Sequence, residues 1–547
     1  MKKFAVLAVF AAALCACNAE RIDPFTPGEN REEDTPVPPG TSGSTYTFAI
    51  TSYDDELATD SDDAVTDKSD TDIYWEGEAE SDGTFKNTIT IAYDGDNAEV
   101  TMSKNAQKVF TAEQKGAHVA IHPAADDVKK CEIILSGKSD DGSLKIYCTT
   151  DPDDKDAGKK VKLTLNGVKL KSASGPAINY QAGKRMFLHL ADGTENTLED
   201  AAEYTDDIYY FDGRTAGTED RKGCFFSEKP VVVSGKGKLS VQGNCRHAIS
   251  IDNDFYMRPG PTIVVTGAAK NCLHCNDRIR FTGGYFYALN TSAGGKCIKT
   301  DSTLVIDAGR IVVNTSGAYG YEDGEQVSPK GIKIDDAITI NGGDITVRCI
   351  GKCDGSEGIE SKKSITINGG TIDVMTYDDA MNASESITIN GGDIYCLSTG
   401  NDGIDSNGSI YIKGGKVTSI ASNMEAGLDN DNPGANNVLQ IDGGEIIGIG
   451  GAVYSPSTKS SQYSIVYNGC PMSTTQELAV NDASGNKILA VTSPQGAQSA
   501  AVILSSSKFT KGGTYTITIG DTTYQTVTLT NIVTTIGKQS GQGGSFH

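Results

Sequence analysis

The chain has 547 residues and a net charge of −24, from 72 acidic against 48 basic side chains. That balance argues against a nucleic-acid partner, because phosphate binding needs clustered cations. The length is enough to bury a large core. With 62 glycines, one tryptophan and few 3.6-residue periods, the sequence reads as strands and turns rather than helices.

In chain order, residues 1–16 read as a lipoprotein signal peptide. Lys2-Lys3 precede an apolar run too short to span a bilayer. Leu14 stands three places before Cys17, which resembles a bacterial lipobox and predicts lipidation of Cys17. Residues 17–45 are polar and rich in proline and glycine, and so are predicted to form a disordered tether. Residues 46–170 carry irregular strands and are expected to form an N-terminal β region with the first coils.

Residues 171–458 repeat. AITINGGDITV, ending at Val347, is followed by SITINGGTIDV ending at Val374 and SITINGGDIYC ending at Cys396. SIYIKGGKVTS and VLQIDGGEIIG continue the series. A small residue recurs between the copies at Ala177, Cys224, Ala248, Cys272, Cys297, Gly331, Gly358, Ala380, Gly403, Gly427 and Ala452. A period of about 22–27 residues with short strands predicts one coil of a right-handed parallel β-helix, an all-β solenoid. Two wider gaps, near Asp192–Lys222 and Asn314–Pro329, read as insertions. Residues 459–536 lose the period and are expected to cap the exposed solenoid end. Residues 537–547 read as a flexible tail.

Thirteen cysteines include two in the signal region, and the eleven left argue against a complete disulfide framework. Cys224, Cys272 and Cys297 share the small-residue column, and Cys275 shares an inward column with Ile251, Thr300 and Ile334. They read as buried small hydrophobes rather than zinc ligands.

Stacked coils place equivalent side chains in columns about 4.8 Å apart. Two places after the small residue, the outward position is Ser250, His274, Lys299, Lys333, Glu360, Asn382, Asp405 and Asp429. Just before the small residue stand His247, Asn271, Lys296, Lys330, Glu357, Asp379 and Asp402. The face is basic for two coils and then acidic. Like carboxylates at that spacing repel by roughly 3 kcal/mol at an effective dielectric of about 20, which a hard cation would relieve. The expected Ca²⁺ ligands are Glu357, Glu360, Asp378, Asp379, Asn382, Asp402 and Asp405, with Asp429 in a neighbouring site. Lys299 and Lys333 lie where a uronate carboxylate would dock. Tyr319 and Tyr321 of the second insertion, with Tyr395, offer ring faces for sugar stacking. Lys333 or Lys330 is the base that a lyase reading would need.

Several segments resemble a bacterial carbohydrate-binding β-helix family first described from a clostridium. They include LTLNGVKL with SGPAINY, GIESKKSITINGGTID, DDAMNASESITINGG, NDGIDSNG and the terminal SSSKFTKGGTYTITIG. The resemblance runs from about Thr88 to Tyr524. It implies a fold similar to family 9 pectate lyases, calcium on acidic coil turns, and binding of cellulose-like or pectic glycans. The family's EGIES motif falls on Glu357 and Glu360, its DDGINA motif on Asp378, Asp379 and Asn382, and its DGI-acid turn on Asp402 and Asp405. The expected protein is therefore a non-catalytic, calcium-dependent, polysaccharide-binding monomer. It touches the membrane through its lipid only, as an outer-membrane lipoprotein at the cell surface or periplasmic face. A pectate-lyase-like enzyme and a structural or adhesive solenoid are the alternatives.

Overall fold

A computed structural model describes residues 48–55, 85–124, 131–148, 160–205, 219–430 and 436–538. Cys17 and the tether lie outside the described residues. The described chain is all-β, with one short 3₁₀ turn at Ala106–Lys108.

Most strands belong to three parallel ladders. The first runs from Ala117–Pro123 through Gly142–Tyr147, Ile178–Ala182, Gly223–Ser227, His247–Ile251, Asn271–Cys275 and Lys296–Thr300. It continues through Lys330–Ile334, Ile359–Ser361, Met381–Ala383 and Ile404–Ser406 to Leu428–Asp429. The second ladder includes Ile338–Ile340, Ser364–Ile367, Ser386–Ile389 and Ser409–Ile412. The third includes Thr262–Ala268, Asp344–Cys349, Thr371–Thr376 and Asp393–Ser398. Long strands such as Ile279–Asn290 serve both the second and third ladders, which form one sheet of 25 strands. Parallel pairing begins earlier still, with Thr88–Asp94 against Cys131–Ser139, well before the Gly-Gly repeats.

The alternation of the repeats explains the packing. Ile338, Ile365, Ile387, Ile410 and Leu439 pair in register, as do Ile340, Ile367, Ile389, Ile412 and Ile441. Both columns are fully buried. Each such side chain contributes roughly 1.5–3 kcal/mol by leaving water. Between them Thr339, Thr366 and Thr388 face outward.

The second glycine of each Gly-Gly pair turns the chain: Gly343, Gly370, Gly392, Gly415 and Gly444 all have φ between 86° and 99°. A Cβ on Gly370 would lie 2.8 Å from the Gly343 carbonyl oxygen. The Gly370→Ala variant is therefore expected to lose about 1–2 kcal/mol from handedness alone, and more from that contact. A lowered urea midpoint with an unchanged slope would show it, and an unchanged midpoint would refute it. Beside these turns Asn390 donates to Asn368, Asn368 to Asn341 and Asn341 to Asp307, each at 2.7 Å.

The C-terminal end of the third ladder, Glu445–Gly450, is covered by Ala497–Ser506 running antiparallel to it. That strand also pairs with Ser464–Met472, and a separate four-stranded sheet spans Leu478–Thr528. Cap and stack share a second core containing Leu397, Ile420, Ile449, Ile465 and Leu504. All eleven described cysteines are free, and ten are buried.

Candidate functional site

The outer face of the first ladder carries the charged columns. Its register aligns Ser250, His274, Lys299, Lys333, Glu360, Asn382, Asp405 and Asp429 in one file. The flanking file contains Lys296 and Lys330 opposite each other. It continues through the carbonyls of Glu357, Asp379 and Asp402, which accept N–H groups from the preceding coil.

At the junction of basic and acidic coils, the side chains pair. Lys330 Nζ lies 2.8 Å from Glu357 Oε2 and 3.0 Å from Glu360 Oε2. Lys333 Nζ donates to Glu360 Oε2 at 3.0 Å, and Lys362 contacts the other oxygen. Burial alone would raise the Glu360 pKa, but Lys330 and Lys333 outweigh it and hold the group below the ordinary carboxylate range. Glu357 stays above its ordinary range, because burial outweighs Lys330. Burial would lower Lys330, but Glu357 and Glu360 hold its ammonium above the usual value. Glu357 and Glu360, expected as calcium ligands, thus already have their charge neutralised by lysines. Lys362 was not anticipated; it stands just past the end of Ile359–Ser361, two places beyond Glu360.

In the acidic coils beyond, burial and neighbouring carboxylates push two aspartates upward. Asp379 is pushed up to about 9 by burial and by the carboxylates of Asp405, Asp378 and Asp402. Asp402 is raised to about 8 by burial, with Asp429 and Asp405 adding to it. Asp379 Oδ2 accepts from Asn382 Nδ2 at 2.9 Å, and its Oδ1 accepts the Asp402 N–H at 3.1 Å. Asp402 Oδ1 accepts the Ala426 N–H at 2.6 Å. Asp378 accepts the Gly355 N–H. The donor set of Asp379, Asp402, Asp405 and Asp429 is all oxygen, with Asp379 and Asp402 buried. Its chemistry fits a hard cation.

Among the described residues, three carboxylates that converge within 4.8 Å lie elsewhere: Asp220, Glu228 and Asp252. Burial and the two aspartates raise Glu228 to about 7, while Lys222 bridges Asp220 and Asp252 at 2.8 and 2.5 Å. No repeat motif marks this group, because Asp220 sits at the end of an insertion.

The expected sugar contacts scatter. Lys299 Nζ is held by Asp301 and Asp335, both at 2.6 Å. The second insertion forms a hairpin, Gly320–Glu322 with Glu325–Val327, that leans Glu322 toward Lys270 and Lys296 at 3.5 and 3.8 Å. Tyr321 at its tip is 74% exposed, and Tyr319 is half-buried. Tyr395 lies on the third ladder, packed with Met375 against the core shared with the C-terminal cap.

Stacked parallel strands with a charge-sorted outer file define an all-β protein with one long charged face. The chain belongs to the family described as carbohydrate-binding domain-containing protein, whose model matches residues 115–403 and 355–528. A curated relative of the same description from Acetivibrio thermocellus is 27% identical over 130 residues. That stretch is 23% of this chain and 39% of the relative, so the chain spans about two fifths of that protein's length. A solved polysaccharide lyase-like protein from C. thermocellum, a gadolinium derivative, aligns with 59% of this chain and 96% of its own, at 18% identity and a TM-score of 0.32.

Proposed function

We propose that the protein is a non-catalytic, calcium-dependent carbohydrate-binding lipoprotein of the cell envelope. It is built on a right-handed parallel β-helix and binds plant-type or pectic polysaccharide along the first ladder. The observation that carries this reading is the sorted file, with Lys299 and Lys333 running into Asp405 and Asp429 on a chain of the carbohydrate-binding family. Asp379, Asp402, Asp405 and Asp429 would hold the cation, which neutralises their charge and offers open coordination to sugar oxygens. Lys299 and Lys333, each paired in the structure with carboxylates of this chain, would exchange those partners for a uronate carboxylate, and Tyr321 would stack on a sugar face. Cys17 would carry the lipid at the outer membrane.

A glycan array read with calcium and with chelator tests the proposal. Binding to pectic or cellulose-like polysaccharide that falls with chelator is expected. Binding to no plant polysaccharide would leave the adhesive-solenoid reading in its place. The lyase alternative asks Lys333 to act as a base, but its Nζ is committed to Glu360 at 3.0 Å. Ultraviolet absorbance from an unsaturated uronate, rising with the natural protein and not with Lys333→Ala, would replace the binding-only reading.

A further inference from the structure

Residues 48–55 belong to none of the ladders, yet they lie against the outer face of the third. Thr51 and Asn314 pair reciprocally across 263 positions of sequence. The Thr51 N–H donates to Asn314 Oδ1 at 2.9 Å, and Asn314 Nδ2 donates to the Thr51 carbonyl at 3.2 Å. The Tyr53 ring stacks on Tyr285, centroids 5.4 Å apart and planes at 17°, and meets Tyr287 edge-on at 5.6 Å. Lys238 Nζ sits 4.5 Å above the Tyr53 ring and pairs with Asp55 at 2.9 Å. The Tyr53 hydroxyl donates to Asp55 Oδ1 at 2.6 Å.

The surface beneath is unlike its neighbours. In the file that contains Tyr287, the coils from Val264 to Val312 are apolar, and the next two outward residues are Thr346 and Asp373. Val264, Tyr285, Tyr287 and Val312 form an apolar cluster of their own on the outside of the stack, with Tyr53 packed against it. A flat aromatic face, a side-chain amide at its edge and a cation beside it are what one acidic sugar residue needs. The ring face takes the apolar CH surface, the amide a pair of hydroxyls, and the ammonium the carboxylate.

We infer that Tyr285, Tyr287, Asn314 and Lys238 form a subsite for an acidic pyranose, and that the chain's own Tyr53–Asp55 segment occupies it until a glycan displaces it. Tyr53 stands in for the sugar ring and Asp55 for its carboxylate. The inference rests on the carbohydrate-binding reading and adds a second glycan contact on a different ladder, with a built-in competitor.

The test uses the full chain and two probes, an oligogalacturonide and a neutral cello-oligosaccharide, followed by calorimetry. A Tyr53→Ala/Asp55→Ala variant is expected to bind the oligogalacturonide about tenfold more tightly, because the competing state is removed. Adding Tyr285→Ala should abolish that gain, and Asn314→Ala should reduce it if the first change lowers the yield of folded protein. In the natural chain, hydrogen exchange at residues 48–55 should speed up when the oligogalacturonide is added. If the natural protein binds glycan but the double variant binds no tighter and exchange does not change, the subsite falls and the broader reading stands. If neither chain binds either probe, both fall. A gain for the neutral probe alone would overturn the acidic assignment.

Discussion

Replacing Lys330 with methionine is expected to destabilise the protein by about 3–5 kcal/mol at neutral pH. The ammonium is nine-tenths buried between Glu357 and Glu360, whose side chains are 11% and 3% exposed. Methionine keeps the volume but removes the charge, leaving the buried Glu357 without its lysine while Lys333 and Lys362 remain on Glu360. Carboxylates stripped of a buried partner are costly, because little solvent reaches them to take over the charge. Urea unfolding at pH 7.5 measures the loss. Adding Glu357→Gln to the variant should recover part of it, since Glu357 is the carboxylate that loses its lysine while Lys333 and Lys362 still hold Glu360. Lys416, paired with Asp393 at 3.3 Å with both side chains more than half exposed, is the control. Its methionine variant should shift stability by under about 1 kcal/mol. Equal effects at the two positions would contradict the buried ion-pair account.

The second large effect concerns pH. Asp379 and Asp402 have folded pKa values raised to about 9 and 8, above the ordinary 3.8. Between those limits the folded protein holds protons that the unfolded chain has released. Raising pH therefore favours unfolding, and stability should fall from about pH 4 until it levels off near pH 9. Each pH unit costs up to about 1.4 kcal/mol per group, so the two shifts together bound the loss at about 10 kcal/mol. An Asp379→Asn/Asp402→Asn variant should flatten the profile and exceed the natural protein in stability at pH 9. A profile that stays flat in the natural protein would sink the argument. If the proposed cation binds here, millimolar CaCl₂ at pH 9 should raise the Tm of the natural protein and not that of the variant. A calcium response that survives both substitutions would move the site, and Asp220, Glu228 and Asp252 would be the next place to look.

What the sequence made legible follows from how local each signal is. The file from Ser250 to Asp429 could be read in order because every coil repeats a small residue two places earlier, and parallel pairing keeps that count. The glycine turns were readable because Gly370 and its equivalents have no substitute at positive φ. The coils before Ala177 were less plain. Their strands, such as Gly142–Tyr147, lack the Gly-Gly punctuation. Charge pairing across coils was beyond composition. A run of acids and a run of lysines look like a metal site or a salt-bridge ladder until Nζ–Oε distances separate Glu360 from Asp379. Least readable were the contacts that span the chain. Nothing near Thr51 announces Asn314, and nothing near Glu445 announces that Ala497–Ser506 will cover it.

The matching Asn-Gly-Gly corners have a hereditary consequence. Ser364 and Ser386 occupy the same position on adjacent rungs. Excising Ser364–Glu385 from the gene would join Lys363 to Ser386, and each remaining rung would still meet a neighbour of the shape it already fits. Copying that segment would add a rung in the same way. The number of rungs can thus change by whole-unit deletion or duplication without redesign of any interface. The outward file changes with it: losing that segment removes Asn382 and sets Asp405 beside Glu360. Descendants of such an event would differ in the length of polymer they span and in the order of charges along it, while their cores stayed interchangeable.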